Sequence, residues 1–297
     1  FTRARQKTGR QIYYQVETLV FGRAVERATL PERFIVGAPD PAKPLPAPFE
    51  TFLKAFNCPI LPMRFESAEL TKIAINCCLV ASVTVANTLG ELCENIGADW
   101  SEIAPALKLD KRIGAYSYLT PGLGLAGGNL ERDLATVIGF SLEHGTDASL
   151  IKAFVSNSIY RKDWALRTMH KTVLSKMPEA KLGVLGLAYK ENTHSVKNSP
   201  SLALIRHLKP WQLRVYDPVV PASAADHPAV AGATSALDAA AGVDALAIMT
   251  PWPEFKKLSC ADLAKTMRGR IVLDPYRVLD PVAAKAAGLD YHTLGVS

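Results

Sequence analysis

No two of the five cysteines, Cys58, Cys77, Cys78, Cys93 and Cys260, form a CxxC pair, and an odd number cannot all pair within one chain. A secreted disulfide framework is thereby disfavoured, and a reducing, cytoplasmic setting fits better. Blocks of one charge are also missing, because 34 Lys plus Arg are mixed among 28 Asp plus Glu for a formal net charge of +6. Nucleic acid as a partner would need a clustered basic face, so the excess suits an anionic small molecule at most. The six histidines show neither HExxH nor any other metal-ligand spacing, and no Ser-His-Asp pattern stands out, so no metal centre is expected. Near the start, Arg3, Arg5, Lys7 and Arg10 stand without an acid, as in a transit-peptide fragment, but an apolar signal-peptide core and an initiating methionine are lacking, which reads rather as a cut end.

What is present is the composition of a soluble globular protein: 297 residues, 48% hydrophobic and 21% charged. At roughly 100–200 residues per domain, that length favours more than one domain. Residues 1–65 hold an apolar run near Ile12–Val20, a strand-like Arg33-Phe-Ile-Val-Gly37, and a cluster from Pro39 to Pro48 that marks a loop. From Glu66 to Gly97 there is no proline and only one late glycine before the end, which predicts a single helix of about nine turns stopped by Gly97. Asp99 with Glu102 resembles a capping box for the next helix, and a further helical run follows from about Asp147 to Met177. Residues 66–177 thus read as helical. After Pro178, apolar runs at Lys181–Leu187, Leu213–Tyr216, Ala245–Met249 and Ile271–Leu273 alternate with helical stretches beginning near Ser199, Ser235, Pro253 and Pro281. That alternation builds a parallel sheet covered on both faces, so the expected fold class is α/β, with a helical central region followed by a doubly wound domain at 178–297.

The 18 residues Ile73–Gly90 carry no charge and reach the lower length limit of a membrane span, but Asn76, Ser82, Thr84, Asn87 and Thr88 within them favour a buried helix and no membrane. The run Ile73–Val85 is too continuously apolar for a helix with one solvated face, so a partner helix from a second copy is expected to cover it. Lys72 and Asn76, four apart, project from one face of that helix. A functional cation-amide pair and a solvated lysine paired with Glu66 and Glu69 both fit the spacing. Cys77 and Cys78 lie about 140° and 240° around the helix from Lys72 and read as core thiols.

Two glycine-bearing loops stand out. Gly183-Val-Leu-Gly186-Leu-Ala-Tyr-Lys190 follows the first strand of the α/β domain, yet it lacks the middle glycine of GxGxxG, so one nucleotide fits better there than a dinucleotide. Asp217 ends the second strand, where it reads equally as a ribose ligand or as part of a Tyr-Asp-Pro turn. The loop Pro121-Gly-Leu-Gly124-Leu-Ala-Gly-Gly-Asn129 places four glycines in seven residues ahead of a helix, which suits an oxyanion or a flexible hairpin.

Taken in order, Glu66-Ser-Ala-Glu-Leu-Thr-Lys72-Ile-Ala-Ile-Asn76, Ile96-Gly-Ala-Asp99, Arg112-Ile-Gly114, the second glycine loop, Gly186-Leu-Ala-Tyr-Lys190-Glu-Asn-Thr193, Ser199-Pro200, Tyr216-Asp-Pro218 and Trp252-Pro-Glu-Phe255 resemble the UDP-glucose/GDP-mannose dehydrogenase family. The resemblance runs from about Glu17 to the end. It implies oxidation of the 6-hydroxyl of a nucleotide hexose, a UDP-sugar, with NAD as cofactor, through an aldehyde held on a cysteine as a thiohemiacetal. It also implies a homodimer, a central helical dimerisation domain at 66–177, a nucleotide-sugar-binding domain at 178–297, and residues 1–65 as the remnant of an N-terminal NAD domain. By position, Lys72 would stabilise oxyanion charge, Asn76 would hold a sugar hydroxyl or water, Asp133 would support the water and Lys72, and Glu17 would serve the hydrolytic step. Tyr189, Lys190 and Gly124 would contact substrate, Arg112 would reach a neighbouring subunit's substrate, and Lys197 stands where an arginine lies near the NAD pyrophosphate. The nucleophile's position is Asn129, and an amide cannot form the thiohemiacetal. The family's Asp-Gly-Arg appears as Asp274-Pro-Tyr276 with Arg277 one place later, and its Pro-Glu-Phe-Leu-x-Glu-Gly as Val16-Glu17-Thr-Leu-Val-Phe21-Gly22. A non-catalytic, nucleotide-sugar-binding and dimerising relative is the alternative.

Overall fold

The computed structural model describes residues 11–19 and 22–296, so the basic start through Arg10, Val20 and Phe21 lie outside the described residues. The chain divides into two compact units, one ending at Cys78 and the other starting at Leu79. In the first, β1 (Tyr14–Gln15) pairs antiparallel with β2 (Phe34–Ala38), which pairs in parallel with β3 (Ile60–Arg64). All five residues of β2 are buried, as its apolar run requires. Sequence reading missed β3 because Pro62 argues against a strand, but β3 lies at the sheet's edge, where a missing N–H is tolerated. Helix α1 (Ala24–Thr29) precedes β2, and α2 (Ala47–Lys54) follows it. The proline cluster is therefore not loop throughout: Pro48 sits in the first turn of α2, where its N–H would have no helical acceptor. Phe34, Val36, Leu45 and a fully enclosed Leu53 form the small core beneath.

Helix α3 (Phe65–Ile96) is 32 residues long and ends at Gly97, which takes φ +77° and so breaks the helix without a Cβ clash. By length and composition it is the one helix among the described residues able to cross a membrane, and only 22% of its most apolar 18-residue window is buried. The expectation of a buried helix is thus corrected for the single chain. Val80 and Ala86 are enclosed, whereas Val85, Leu89, Leu92 and Ile96 form an exposed stripe, because the chain's other elements cover only part of the helix surface. Cys78 is exposed and Cys77 half-buried, so they are not core thiols either.

In the second unit α4 (Trp100–Leu109) is capped by Asp99, whose carboxylate accepts from Ser101 N at 2.7 Å. Then come α5 (Asn129–His144), α6 (Ser149–Lys162) and α7 (Trp164–Met169), the last running into a π-helical turn at His170–Leu174. Arg161 of α6 is fully enclosed, 3.1 Å from Glu91 Oε2 and 3.6 Å from Glu94 Oε1 on α3. The sheet that follows comprises β4 (Lys181–Leu185), β5 (Gln212–Tyr216), β6 (Val230–Gly232), β7 (Ala245–Ile248), β8 (Ile271–Leu273) and β9 (Asp290–His292). All its pairings are parallel, in the order β6-β5-β4-β7-β8-β9. Helices α8 (Pro200–His207), α9 (Ala236–Ala239), α10 (Cys260–Thr266) and α11 (Pro281–Ala286) connect strands. The helix expected near Pro253 is a single 3-10 turn, Phe255–Lys257, with α10 starting only at Cys260. This is the doubly wound arrangement, with its order reversing between β4 and β7.

At that reversal point open α/β sheets bind nucleotides, but here the crevice is filled. A methyl on Gly186, at φ +89°, would stand 2.4 Å from Thr250 Cβ, so only glycine lets the turn after β4 close on the end of β7. The turn's amides are all engaged: Gly186 N donates to Tyr216 O at 2.8 Å, Leu187 N and Ala188 N to Asp217 Oδ2 at 2.7 and 3.0 Å, and Tyr189 N to Ser195 O at 3.0 Å. None of these four amides is left to meet a phosphate, so a nucleotide at this turn would be met by side chains. Asp217 also accepts from Trp252 Nε1 at 3.1 Å and, through Oδ1, from Val219 N at 2.9 Å and Val220 N at 2.8 Å. Its carboxylate is a structural hub and not a ribose ligand. Asp217→Ala, leaving several buried donors unpaired at about 1–3 kcal/mol each, should lower unfolding free energy by about 3 kcal/mol or more in urea titration. A ligand-only role would leave the unfolding curve unmoved.

Candidate functional site

Since its amides are consumed, the β4 turn offers only the side chains at its far end. Tyr189 is half-buried, and burial followed by the nearby Glu191 carboxylate pushes its phenol pKa up, so it stays a neutral hydroxyl. The Lys190 ammonium lies 5.7 Å from the Tyr189 ring centroid, within cation-π range. Tyr189 packs against the second glycine loop, where a methyl on Gly127 would come within 2.9 Å of the ring. Gly127 N donates to Lys197 O at 3.1 Å, and the Lys197 side chain runs along Gly128, 2.8 Å from where a Cβ would stand. Gly128 takes φ +112° and leads directly into α5, whose first residue is Asn129. The second unit thereby brings Tyr189, Lys190 and Lys197 to the helix start that carries Asn129.

The same loop is pressed onto α6 at Gly124, where a methyl would meet Ser158 O at 2.3 Å, and Leu125 N donates to Ser158 Oγ at 2.8 Å. Sequence reading missed Glu131, which accepts from Lys162 Nζ at 2.7 Å and from Asn198 Nδ2, tying α5 to α6 and to the segment after β4. Its partners are 31 and 67 residues away, so no local spacing announced them. Asp133, one turn into α5, is 5% exposed and lies 3.2 Å from the Arg132 guanidinium. Arg112 is 89% exposed at its side chain and held over its own turn by Asp110, with Nε at 3.0 Å and Nη2 at 2.6 Å. It reaches outward from the chain.

Lys72, Asn76 and Glu17 belong to the first unit. Lys72 and Asn76 are both half-buried one turn apart on α3, and Lys72 makes no ion pair among the described residues, so the surface pairing with Glu66 or Glu69 is not formed. Glu17 is exposed after β1, and its carboxylate accepts from Leu19 N. None of the five cysteines is in a disulfide.

Comparison with known proteins follows the same residues. Residues 66–158 match the model of the UDP-glucose/GDP-mannose dehydrogenase family central domain, and residues 183–281 match that family's UDP binding domain. The UDP-glucose 6-dehydrogenase TuaD of Bacillus subtilis is 29% identical over 283 residues, covering 94% of this chain and 60% of the relative. The UDP-glucose 6-dehydrogenase AglM of Haloferax volcanii is 30% identical, covering 96% and 66%. The chain thus spans about 60–66% of the length of these curated relatives. Among solved structures, a UDP-glucose dehydrogenase from Pyrobaculum islandicum superposes with a TM-score of 0.82 at 28% identity, covering 97% of this chain and 64% of that one. With two of the family's domain models matched in order and nucleotide-sugar dehydrogenases as its relatives, the chain belongs to the UDP-glucose/GDP-mannose dehydrogenase family.

Proposed function

We propose that this chain is the substrate-binding and dimerising part of a cytoplasmic, NAD-dependent oxidoreductase that acts on the 6-hydroxyl of a nucleotide hexose, with a UDP-sugar as substrate. The observation that carries this reading is the meeting of Tyr189 and Lys190, from the matched UDP-binding region, with the Gly127-Gly128-Asn129 helix start from the matched central domain. In it, Lys190 and the neutral Tyr189 hydroxyl hold the nucleotide, Gly124 lets the loop lie close, and Arg112 serves the neighbouring subunit's substrate. Lys72 stabilises negative charge as the alcohol is deprotonated, Asn76 and Asp133 order water and hydroxyls, and Glu17 serves hydrolysis. Cysteines outside any disulfide, one of them exposed, suit the reducing compartment.

NAD does not fit the described strand turns. β2 exits through Pro39-Asp40-Pro41, whose prolines have no N–H for a pyrophosphate, and the β4 turn has none to spare. Lys197, beside Gly128, is the one cation here that the family resemblance would direct to that pyrophosphate. The redox step is therefore not assigned to these residues. Asn129 favours a second reading, a binding and dimerising relative without catalysis, because an amide stands where the family resemblance would put the thiol that traps an aldehyde.

Three outcomes test the proposal. Lys190→Ala should weaken UDP-glucose binding by about 1–3 kcal/mol, the scale of a charged hydrogen bond, in calorimetry on a folded variant; unchanged affinity would remove this lysine from the site. The stripe Val85, Leu89, Leu92 and Ile96, exposed by 50, 41, 50 and 63%, supports a homodimer through α3. Light scattering should give twice the 32.1 kDa chain mass, with Leu89→Glu and Leu92→Glu shifting it toward monomer; a monodisperse unmodified monomer would count against it. In the protein completed by the family's NAD domain, at most one NADH should form per sugar and Asn129→Cys should raise the yield toward two. Two NADH and a uronic acid without that change would overturn the limit, and none at all would favour the non-catalytic reading.

A further inference from the structure

Two poor helix formers, Asn87 and Gly90, stand three residues apart within α3, in the part of it that belongs to the second unit. At about 100° per residue, Leu89, Leu92 and Ile96 fall within about 40° of Val85, whereas Gly90 stands about 140° and Asn87 about 200° around the helix. The pair therefore occupies the face turned away from the exposed stripe. Asn87 is 2% exposed, and an enclosed amide is costly unless it is bonded. Its Oδ1 accepts from Gly122 N at 2.7 Å, 35 residues along the chain. Gly90 meets the residue just before: a methyl there would stand 3.0 Å from Pro121 Cγ, so the missing side chain lets the loop lie close against the helix.

Both contacts fall on the opening residues of the glycine loop that leads to Asn129. Three residues further, Leu125 N donates to Ser158 Oγ of α6 at 2.8 Å, and Ser158 is 6% exposed. The two helices are tied to each other beside these anchors, where Asn157 Nδ2 donates to Thr88 Oγ1 at 3.1 Å. Leu123, 1% exposed, sets the span between them into the large core. Gly122, Gly124, Gly127 and Gly128 make the loop entropically costly to order, so its position depends on this short series of anchors. Only Ala126 separates the Leu125 anchor from Gly127, whose N–H donates to Lys197 O and against which Tyr189 packs. The seat on α3 is thus continuous with the helix start that carries Asn129.

We infer that Asn87 is a positioning residue for the nucleotide-sugar site: its amide oxygen seats the glycine loop on α3, so that Gly127 and Gly128 stand where Tyr189 and Lys197 meet them. The inference rests on the function proposed above. Calorimetry with UDP-glucose on the whole chain, with hydrogen exchange followed on the same samples, tests it. In Asn87→Ala the new residue favours the helix, so α3 should keep its slow exchange while exchange across residues 119–128 quickens by about tenfold or more. UDP-glucose affinity should fall by about tenfold, because only the fraction of molecules with the loop seated is competent to bind. Asn87→Asp keeps an oxygen for Gly122 N and should stay within about threefold of the unmodified affinity. If the unmodified protein binds, then unchanged affinity in Asn87→Ala, equal losses in both variants, or quickened exchange spread over the sheet as well would overturn the inference and leave the proposed function standing. Unmodified protein that fails to bind UDP-glucose would overturn both.

Discussion

The carboxylate of Asp217 accepts five donors, four from the backbone and one from Trp252, and the placement of the candidate site follows from that convergence. In an open α/β sheet, the turn after the first strand is ordinarily the place where free amides meet a phosphate. Here Asp217 draws the turn after β4 inward, Thr250 fills the crevice against Gly186, and Ser199 and Ser201 bond the carbonyls of Leu187 and Gly186 at 2.8 and 2.6 Å. What projects beyond the turn is a pair of side chains. That is the Tyr189-Lys190 pair, already packed against Gly127.

A different economy holds α3 to the second unit. Arg161 is fully enclosed, and the guanidinium is met by Glu91 and Glu94, which are in turn bonded by Tyr160, Trp164 and the Gly295 amide. Such a buried cation adds little net stability over an apolar residue of equal size, but removal of one partner leaves an uncompensated charge at about 3–5 kcal/mol. Its effect is to fix the rotation of α3. With Glu91 and Glu94 turned toward α6 and α7, the face bearing Val85, Leu89, Leu92 and Ile96 is left uncovered. The exposed stripe and the ion network thus occupy opposite faces of the helix.

Legibility in the sequence tracked the range of the interactions involved. The long helix, its Gly97 stop, β2, and four of the six strands of the large sheet could be read locally, because periodicity, punctuation and β-branched runs are nearest-neighbour properties. β6 and β9, three residues each, carry no such run and exist only because a neighbouring strand supplies their hydrogen bonds. The resemblance would place Tyr189, Lys190 and Asn129 in one site; the structure packs Tyr189 against Gly127, two residues before Asn129, with the Lys190 ammonium 5.7 Å from the Tyr189 ring. Residue spacing could not reveal that Asp217 and Gly186 close the crevice, since Tyr-Asp-Pro and a glycine turn look alike whether their amides face a ligand or a carboxylate. Glu131 was invisible for the same reason.

Asn129 alters less of the site's electrostatics than of its chemistry. The residue begins a 16-residue helix whose first amides point outward at the positive end of the dipole, and the Lys197 side chain passes along the preceding glycine. Those are the conditions that depress a thiol pKa and favour thiolate. An asparagine has no charge to be stabilised there, yet it neither fills the loop nor disturbs its glycines, because Asn129 is exposed and the packing against Tyr189 and Lys197 is made by Gly127 and Gly128. The electropositive setting is thus built by residues other than the one at the nucleophile's position. The shape and charge of this helix start therefore do not depend on which side chain stands at residue 129, because they are made by different atoms.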